Sequence, residues 1–364
     1  MINHIISKSI SLVIIFAIQS FAQDFSFLAT AQMKSILSSR NESSQVINVR
    51  YAPHLTYSMP FNSILIKTEF IYDMSFFASF DEYLSVTTQH TLKPYRASML
   101  IQADQYMVGL GLQHIRFGSG RILRPLMWFD QTNPSDPLAL VEGVDAIQAK
   151  FYLPKNMMIQ SWVIVEDQVK GNEFFPSDPK HLELGGLFQG NTSLFEASII
   201  AHTRSFIMYE ESFKESRIGF DISADVIVGL WAEVMFKKQD SPYLLFPYSQ
   251  QMMLGMDYSL AYGNGIQIMG ETMSVSSGTS FSAPKSFDLF AFQLSYPISF
   301  LDSFSLLSSF YKTNQNFTHY LIFTRTLDYF SFSLTGGFQH LRSNFSVNSM
   351  KESSQVFGTI QYSY

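Results

Sequence analysis

The chain contains no cysteine, so it has neither disulfide bridges nor thiolate metal ligands. Charge is also scarce: Asp, Glu, Lys and Arg make up 15% of 364 residues, against roughly 25% in an ordinary globular domain. A water-facing surface of this size would need more. The charge present leans acidic, with 30 Asp+Glu to 24 Lys+Arg, which argues against a nucleic-acid partner. Beyond residue 22 there is no long apolar run, so no later helix is expected to span a membrane. There is no His-Glu-x-x-His signature. The histidines (His4, His54, His90, His114, His181, His202, His319, His340) are scattered, so neither a metal site nor a cofactor is implied. No linker or composition shift divides residues 23–364, which are read as one domain.

The N-terminus has a separate character. Lys8 precedes an apolar core from Ile10 to Ile18, and Ser20 and Ala22 supply small residues before Gln23. Residues 1–22 therefore read as a secretory signal peptide, because the core is shorter than the roughly 20 residues of a spanning helix.

Aromatic residues are abundant, with 35 Phe and 18 Tyr, and they sit in segments that alternate apolar and polar. Ile218, Phe220 and Ile222 alternate with Arg217, Asp221 and Ser223, while Leu254, Met256 and Tyr258 alternate with Asp257 and Ser259. Tyr95, Ala97, Met99 and Ile101 oppose Arg96, Ser98 and Gln102. About eighteen such segments follow one another with no helical stretch between them. A β-sandwich uses roughly seven to nine strands, so the count points elsewhere. The expected fold is all-β: a transmembrane antiparallel β-barrel of about 18 strands, with 16 as the next choice. Short turns such as Ala103-Asp104 and Pro154-Lys155-Asn156 mostly alternate with longer polar connections, as in outer-membrane barrels.

One connection stands apart, the long loop 118–143 between segments expected at 105–117 and 144–153. In and beside it lie Arg116, Arg121, Arg124, Asp130, Asp136, Glu142 and Asp145. Its prolines (Pro125, Pro134, Pro137) and the Trp128-Phe129 pair favour order. Folded inward, such a loop would narrow a pore and set opposed charges across it. Held outside, the same charges would only brace it. Both readings stay open at the level of sequence. Alternation places Arg50, Lys67, Glu69, Arg96, Gln113, Lys150, Glu183, Glu196, Arg217, Asp221, Glu233, Asp257 and Glu271 on the polar, lumen-facing side.

Gly111, Gln113, Ile115, Gly118 and Gly120, then Pro134, Asp136 and Pro137, then Gly143, Asp145 and Ala146 form a pattern. It resembles a segment of porin-like and export-channel outer-membrane barrels of Gram-negative bacteria, with Phe117 where that family usually carries Trp. The C-terminal alternation Val356, Gly358, Ile360, Tyr362, Tyr364 is similar to the targeting strand of such proteins, which implies the barrel-assembly machinery as a partner. The resemblance implies a barrel of porin or export-channel type in outer-membrane lipid. A barrel of about 16 to 18 strands leaves an aqueous channel unless plugged, so the expected function is passive or facilitated passage of a small hydrophilic solute. A non-conducting barrel for surface-polymer export or secretion is the alternative. A lipid-hydrolysing barrel would need a serine and a histidine brought together at the rim, and the spacing pairs none. The solute and the oligomeric state are left open.

Overall fold

The computed structural model describes residues 24–364 except 41, 81–85, 131–140, 142, 166–167, 172, 282–284, 314, 343–349 and 364. The expected signal peptide lies outside the described residues. The strands are β1 (Asp24–Arg40), β2 (Glu42–Phe61), β3 (Ile64–Phe80), β4 (Val86–Gln102), β5 (Tyr106–Gln113) and β6 (Val144–Leu153). Next come β7 (Met157–Ile164), β8 (Glu183–Asn191), β9 (Glu196–Met208), β10 (Glu211–Asp225), β11 (Gly229–Asp240) and β12 (Tyr248–Leu260). The last six are β13 (Ile266–Gly278), β14 (Lys285–Pro297), β15 (Asp302–Tyr311), β16 (Asn316–Thr326), β17 (Phe330–Arg342) and β18 (Met350–Ser363).

All eighteen belong to one sheet, and each pairs antiparallel with its chain neighbours. β1 also pairs with β18, from Thr30↔Ser363 to Ser39↔Ser354. Every strand thus has two hydrogen-bonded neighbours, which is what the backbone needs where no water can satisfy an edge.

Burial follows the alternation but reverses its usual sense. On β10, Glu215, Arg217 and Asp221 are buried, whereas Ile218, Phe220 and Ile222 are 47%, 44% and 47% exposed. The polar face turns inward and the apolar face outward, the arrangement of a barrel whose surroundings are apolar. Tight turns close two hairpins: Lys155 and Asn156 in the three-residue turn after β6, and Tyr209-Glu210 in the two-residue turn after β9, all have positive φ, between 52° and 66°. Such turns match the twist of the flanking strands.

Two departures from simple alternation matter for the site. Ile71 pairs with Arg96 and Tyr72 with Pro94, which leaves Tyr95 unpaired in a bulge. Two successive side chains, Tyr95 and Arg96, therefore turn to the same side. The alternation alone put Tyr95 on the outer face; instead it is buried, and its phenol donates to the Val141 carbonyl. The wall is also uneven. β1 to β4 run 17–20 residues, whereas β5 to β8 run 8–10. Where the wall is low, the intervening chain enters the lumen.

A loop tied across the lumen

β5 was expected to reach residue 117 but stops at Gln113. The Gln113 side chain turns back to donate to the Ala146 carbonyl at 2.8 Å, and at Gly118 the backbone takes a φ of 86°. From His114 the chain crosses the lumen to β10, β11 and β13. β13 stands eight places round from β5 in a ring of eighteen, close to the far side.

A backbone leaving the sheet loses its ladder partners, and buried N–H groups must be satisfied elsewhere. Three wall carboxylates do this. Asp221 accepts from the Ser119 amide at 3.0 Å and from its hydroxyl. Glu233 accepts from Gly120 at 2.6 Å and Leu126 at 3.1 Å. Glu271 accepts from Arg121 at 2.8 Å, Ile122 at 2.9 Å and Leu123 at 2.5 Å. Its fourth bond comes from the Trp231 indole on β11 at 3.0 Å. Each carboxylate offers two acceptor oxygens to amides that have lost their ladder partners, so these side chains define the loop's path. A side chain at Gly118 would collide with Glu233 as well as strain the backbone.

The loop's charges divide. Arg121 pairs with Asp257 on β12 and lies 4.5 Å over the Trp231 ring, yet its side chain is 53% exposed. Arg116 is exposed and has no ion pair among the described residues. Arg124 and Asp130 are buried against one another at 2.8 Å, bracing the loop from within. They correct the expectation that both face a pore. Asp145 is corrected too: it shares the strand face of Ile147 and Phe151, the outward one. Asp136 and Glu142 lie outside the described residues.

Asp130 titrates in a readable direction. Burial alone would raise its pKa, but the neighbouring His114 imidazole, 3.7 Å away, and the hydrogen bond and charge of Arg124 outweigh that and hold the carboxyl below its ordinary 3.8. A lowered folded value adds stability above the ordinary value, lost as pH falls through the lowered one. The loop should therefore be steady at pH 5 and loosen below about pH 3.8, seen as rising current noise in single-channel records. Asp130→Asn should remove that dependence.

A second inward segment, described over residues 168–171 and 173–182, packs beside the first. Glu173 bridges Arg204 on β9 at 2.8 Å and Arg217 on β10 at 2.9 Å. Glu215 binds the same two arginines, Arg204 at 2.8 Å, and also accepts from Gln239 at 2.7 Å. Lys170 reaches Glu183 at 2.6 Å, whose other oxygen lies 3.2 Å from His202. Against this network stand Phe117, Trp128, Phe129 and Trp162. Phe117 stacks on Trp162 at 5.6 Å, and the Trp162 indole donates to His202 at 3.3 Å. Between the first loop and the wall of β6 to β11, the lumen is thus filled by packed side chains.

Of the residues expected to line water, Gln113, Glu183, Arg217, Asp221, Glu233 and Glu271 point inward but are buried. They hold the wall and loops. Arg50 pairs with Asp73 at 2.9 Å, and Glu69 with His54 at 2.9 Å. Arg96 donates to Val141 at 3.3 Å, and Glu196 accepts from Asn191 at 3.5 Å. Lys67 and Lys150 lie on the inward face with no ion pair among the described residues. Alternation alone missed Glu173, Lys170, His202, Arg204 and Glu215. The inward parity of Arg204, Glu215 and Arg217 was available as a signal; the loop partners were not. His319 does meet a serine, Ser308, at 2.9 Å. The two are directly paired across β15 and β16 on the outward face.

The chain is an eighteen-strand antiparallel ring with a loop folded inward after its fifth strand. The fold is similar to that of Pseudomonas aeruginosa OccK3 (OpdO), at 9% identity and a TM-score of 0.62, covering 95% of this chain and 97% of that one. It is similar also to Acinetobacter baumannii OccAB1, at 8% identity, TM-score 0.60, and 94% and 97% coverage. An anion-selective porin from Comamonas acidovorans matches at 8% identity, TM-score 0.51, with 94% and 99% covered. No family model matches the chain, and no curated protein does. At such identities the likeness establishes the fold, and function has to be argued from the site.

Proposed function

We propose that the chain is a porin-like channel of the Gram-negative outer membrane, passing a small hydrophilic solute down its gradient. The observation that carries this reading is the loop tied across the lumen with the Arg121 guanidinium held half exposed. A positioned charge at a narrowing sorts solutes by sign and size. The outward apolar wall faces lipid, and the Gly111–Ala146 segment supports a place among porin-like barrels. The C-terminal strand would serve as the mark for the assembly machinery.

Lys67 and Lys150 of the inward face and Arg116 of the loop have no ion pair among the described residues. By contrast, the acidic groups of β10, β11 and β13 are covered by the loop, Glu69 is engaged by His54 and Asp257 by Arg121. The water-filled path is therefore positive, and the channel prefers anions. In planar bilayers the protein should give discrete open steps. Arg121→Ala should lower the anion-to-cation permeability ratio by roughly two- to fivefold, the scale of one unit charge a few ångströms away in water. A silent barrel would favour the structural, export-linked reading, which the packed side chains between the first loop and the wall also suit. An unchanged ratio would place the loop outside the conducting path. The Ser308–His319 pair is read as non-catalytic: each satisfies the other on an apolar wall. Phospholipid turnover abolished by His319→Ala would reverse that assignment.

A further inference from the structure

Three times on the inner wall, a large ring lies across the residue directly opposite it on the next strand, and each time that residue is glycine. Trp162 pairs with Gly185, Trp231 with Gly255 and Tyr320 with Gly337. A Cβ at any of the three glycines would overlap the ring. Glycine lets the ring lie down against the wall and turn a face to the lumen.

The chain itself covers two of these faces. Phe117 stacks on Trp162 with planes 14° apart, and the Arg121 guanidinium sits over Trp231. Their indole N–H groups are taken by His202 and Glu271. Tyr320 has the same seat, but among the described residues no ring or guanidinium lies on it. Its hydroxyl is fixed between two amides, accepting from Gln339 Nε2 at 3.2 Å and Gln355 Nε2 at 3.4 Å. With both nitrogens so engaged, the two amide oxygens are left as acceptors. Around this point the wall is neutral, with Gln293, Ser295 and Ser305 hydrogen-bonded along β14 and β15. By strand parity the charged residues of β14 to β18 that fall on the inward side are Lys285 and Lys351, and Lys351 is four residues along β18 from Gln355.

We propose that Tyr320, Gln339 and Gln355 form a binding platform for the ring of a neutral, hydroxylated solute, a sugar by chemical class. The aromatic face takes the C–H face of the sugar ring, and the amide oxygens accept from its hydroxyls. The platform rests on the reading of this lumen as a solute path. The anion preference set by the basic wall and the loop governs ions and leaves uncharged sugars free to use the opposite side.

The test uses the full barrel folded in detergent, with maltose as probe and calorimetry as readout. Maltose should bind saturably, and Tyr320→Leu should weaken it about three- to tenfold, the size of one lost aromatic stacking contact. Tyr320→Phe, which keeps the ring, should lose less. Gly337→Ala, which lifts the ring off the wall, should weaken binding as Tyr320→Leu does, with folding checked by heat-modifiable gel mobility. No saturable binding to the wild type, or equal binding by wild type and Tyr320→Leu, overturns the platform. Conductance in potassium chloride is recorded on the same sample. Open steps without maltose binding sink the platform alone; maltose binding without open steps sinks only the channel.

Discussion

Replacing Glu271 with alanine should release the loop and enlarge the pore. Glu271 holds three successive backbone amides of the loop and the Trp231 indole, and is itself buried. Each hydrogen bond to a charged group contributes about 1.5–3 kcal/mol, and the deserted N–H groups add a desolvation cost. Loss of the whole set should weaken the inward position by on the order of 3–5 kcal/mol, enough for the loop to leave it often. Single-channel conductance should rise severalfold with frequent closures, and protease should cut near Arg121 where it spares the wild type. Glu271→Gln, which keeps one acceptor but turns a donor toward the loop, should fall between. Wild-type conductance in Glu271→Ala would mean that the loop is held by something else.

The second large effect concerns stability. Glu215→Ala would strand Arg204 and Arg217, whose side chains are 1% and 4% exposed, with Glu173 as their one remaining carboxylate. Breaking a buried ion network from one side typically costs about 3–5 kcal/mol, because an uncompensated charge remains. The unfolding midpoint in urea should drop markedly while ion selectivity stays as it was, since the site is remote from the path. Glu215→Gln, still an acceptor for one arginine, should recover part of the loss. If Glu215→Ala unfolds like the wild type, water reaches this network and its buried character is wrong.

The strands were legible because two constraints coincide in them. A barrel in an apolar medium needs a side-chain period of two and a turn about every ten residues. Both can be read in β10 to β12 without knowing any partner. β5 was overrun by four residues because His114 to Phe117 still alternates, while the carboxylates that draw the chain across the lumen, Asp221, Glu233 and Glu271, lie far away in sequence. Tyr95 was misplaced because a bulge is a property of two strands, and nothing local announces the extra residue beyond Pro94. The site was half legible. Asp221, Glu233, Asp257 and Glu271 were assigned inward correctly, but alternation gives direction and not company. Whether an inward carboxylate meets water or a crossing loop depends on where that loop goes. For the same reason, Arg121 and Arg124 look equivalent in sequence, although one is half exposed and the other buried against Asp130.

The proposed channel puts residue 121 in the conducting path, and because the sequence holds no cysteine a single thiol can be introduced there. In an Arg121→Cys variant, an open channel in a planar bilayer would be treated with a small, charged, thiol-reactive methanethiosulfonate. Stepwise loss of current on modification, blocked by prior treatment with a neutral thiol reagent, is the predicted result. Full modification with no change in current would contradict the account and return the loop to the outside of the barrel.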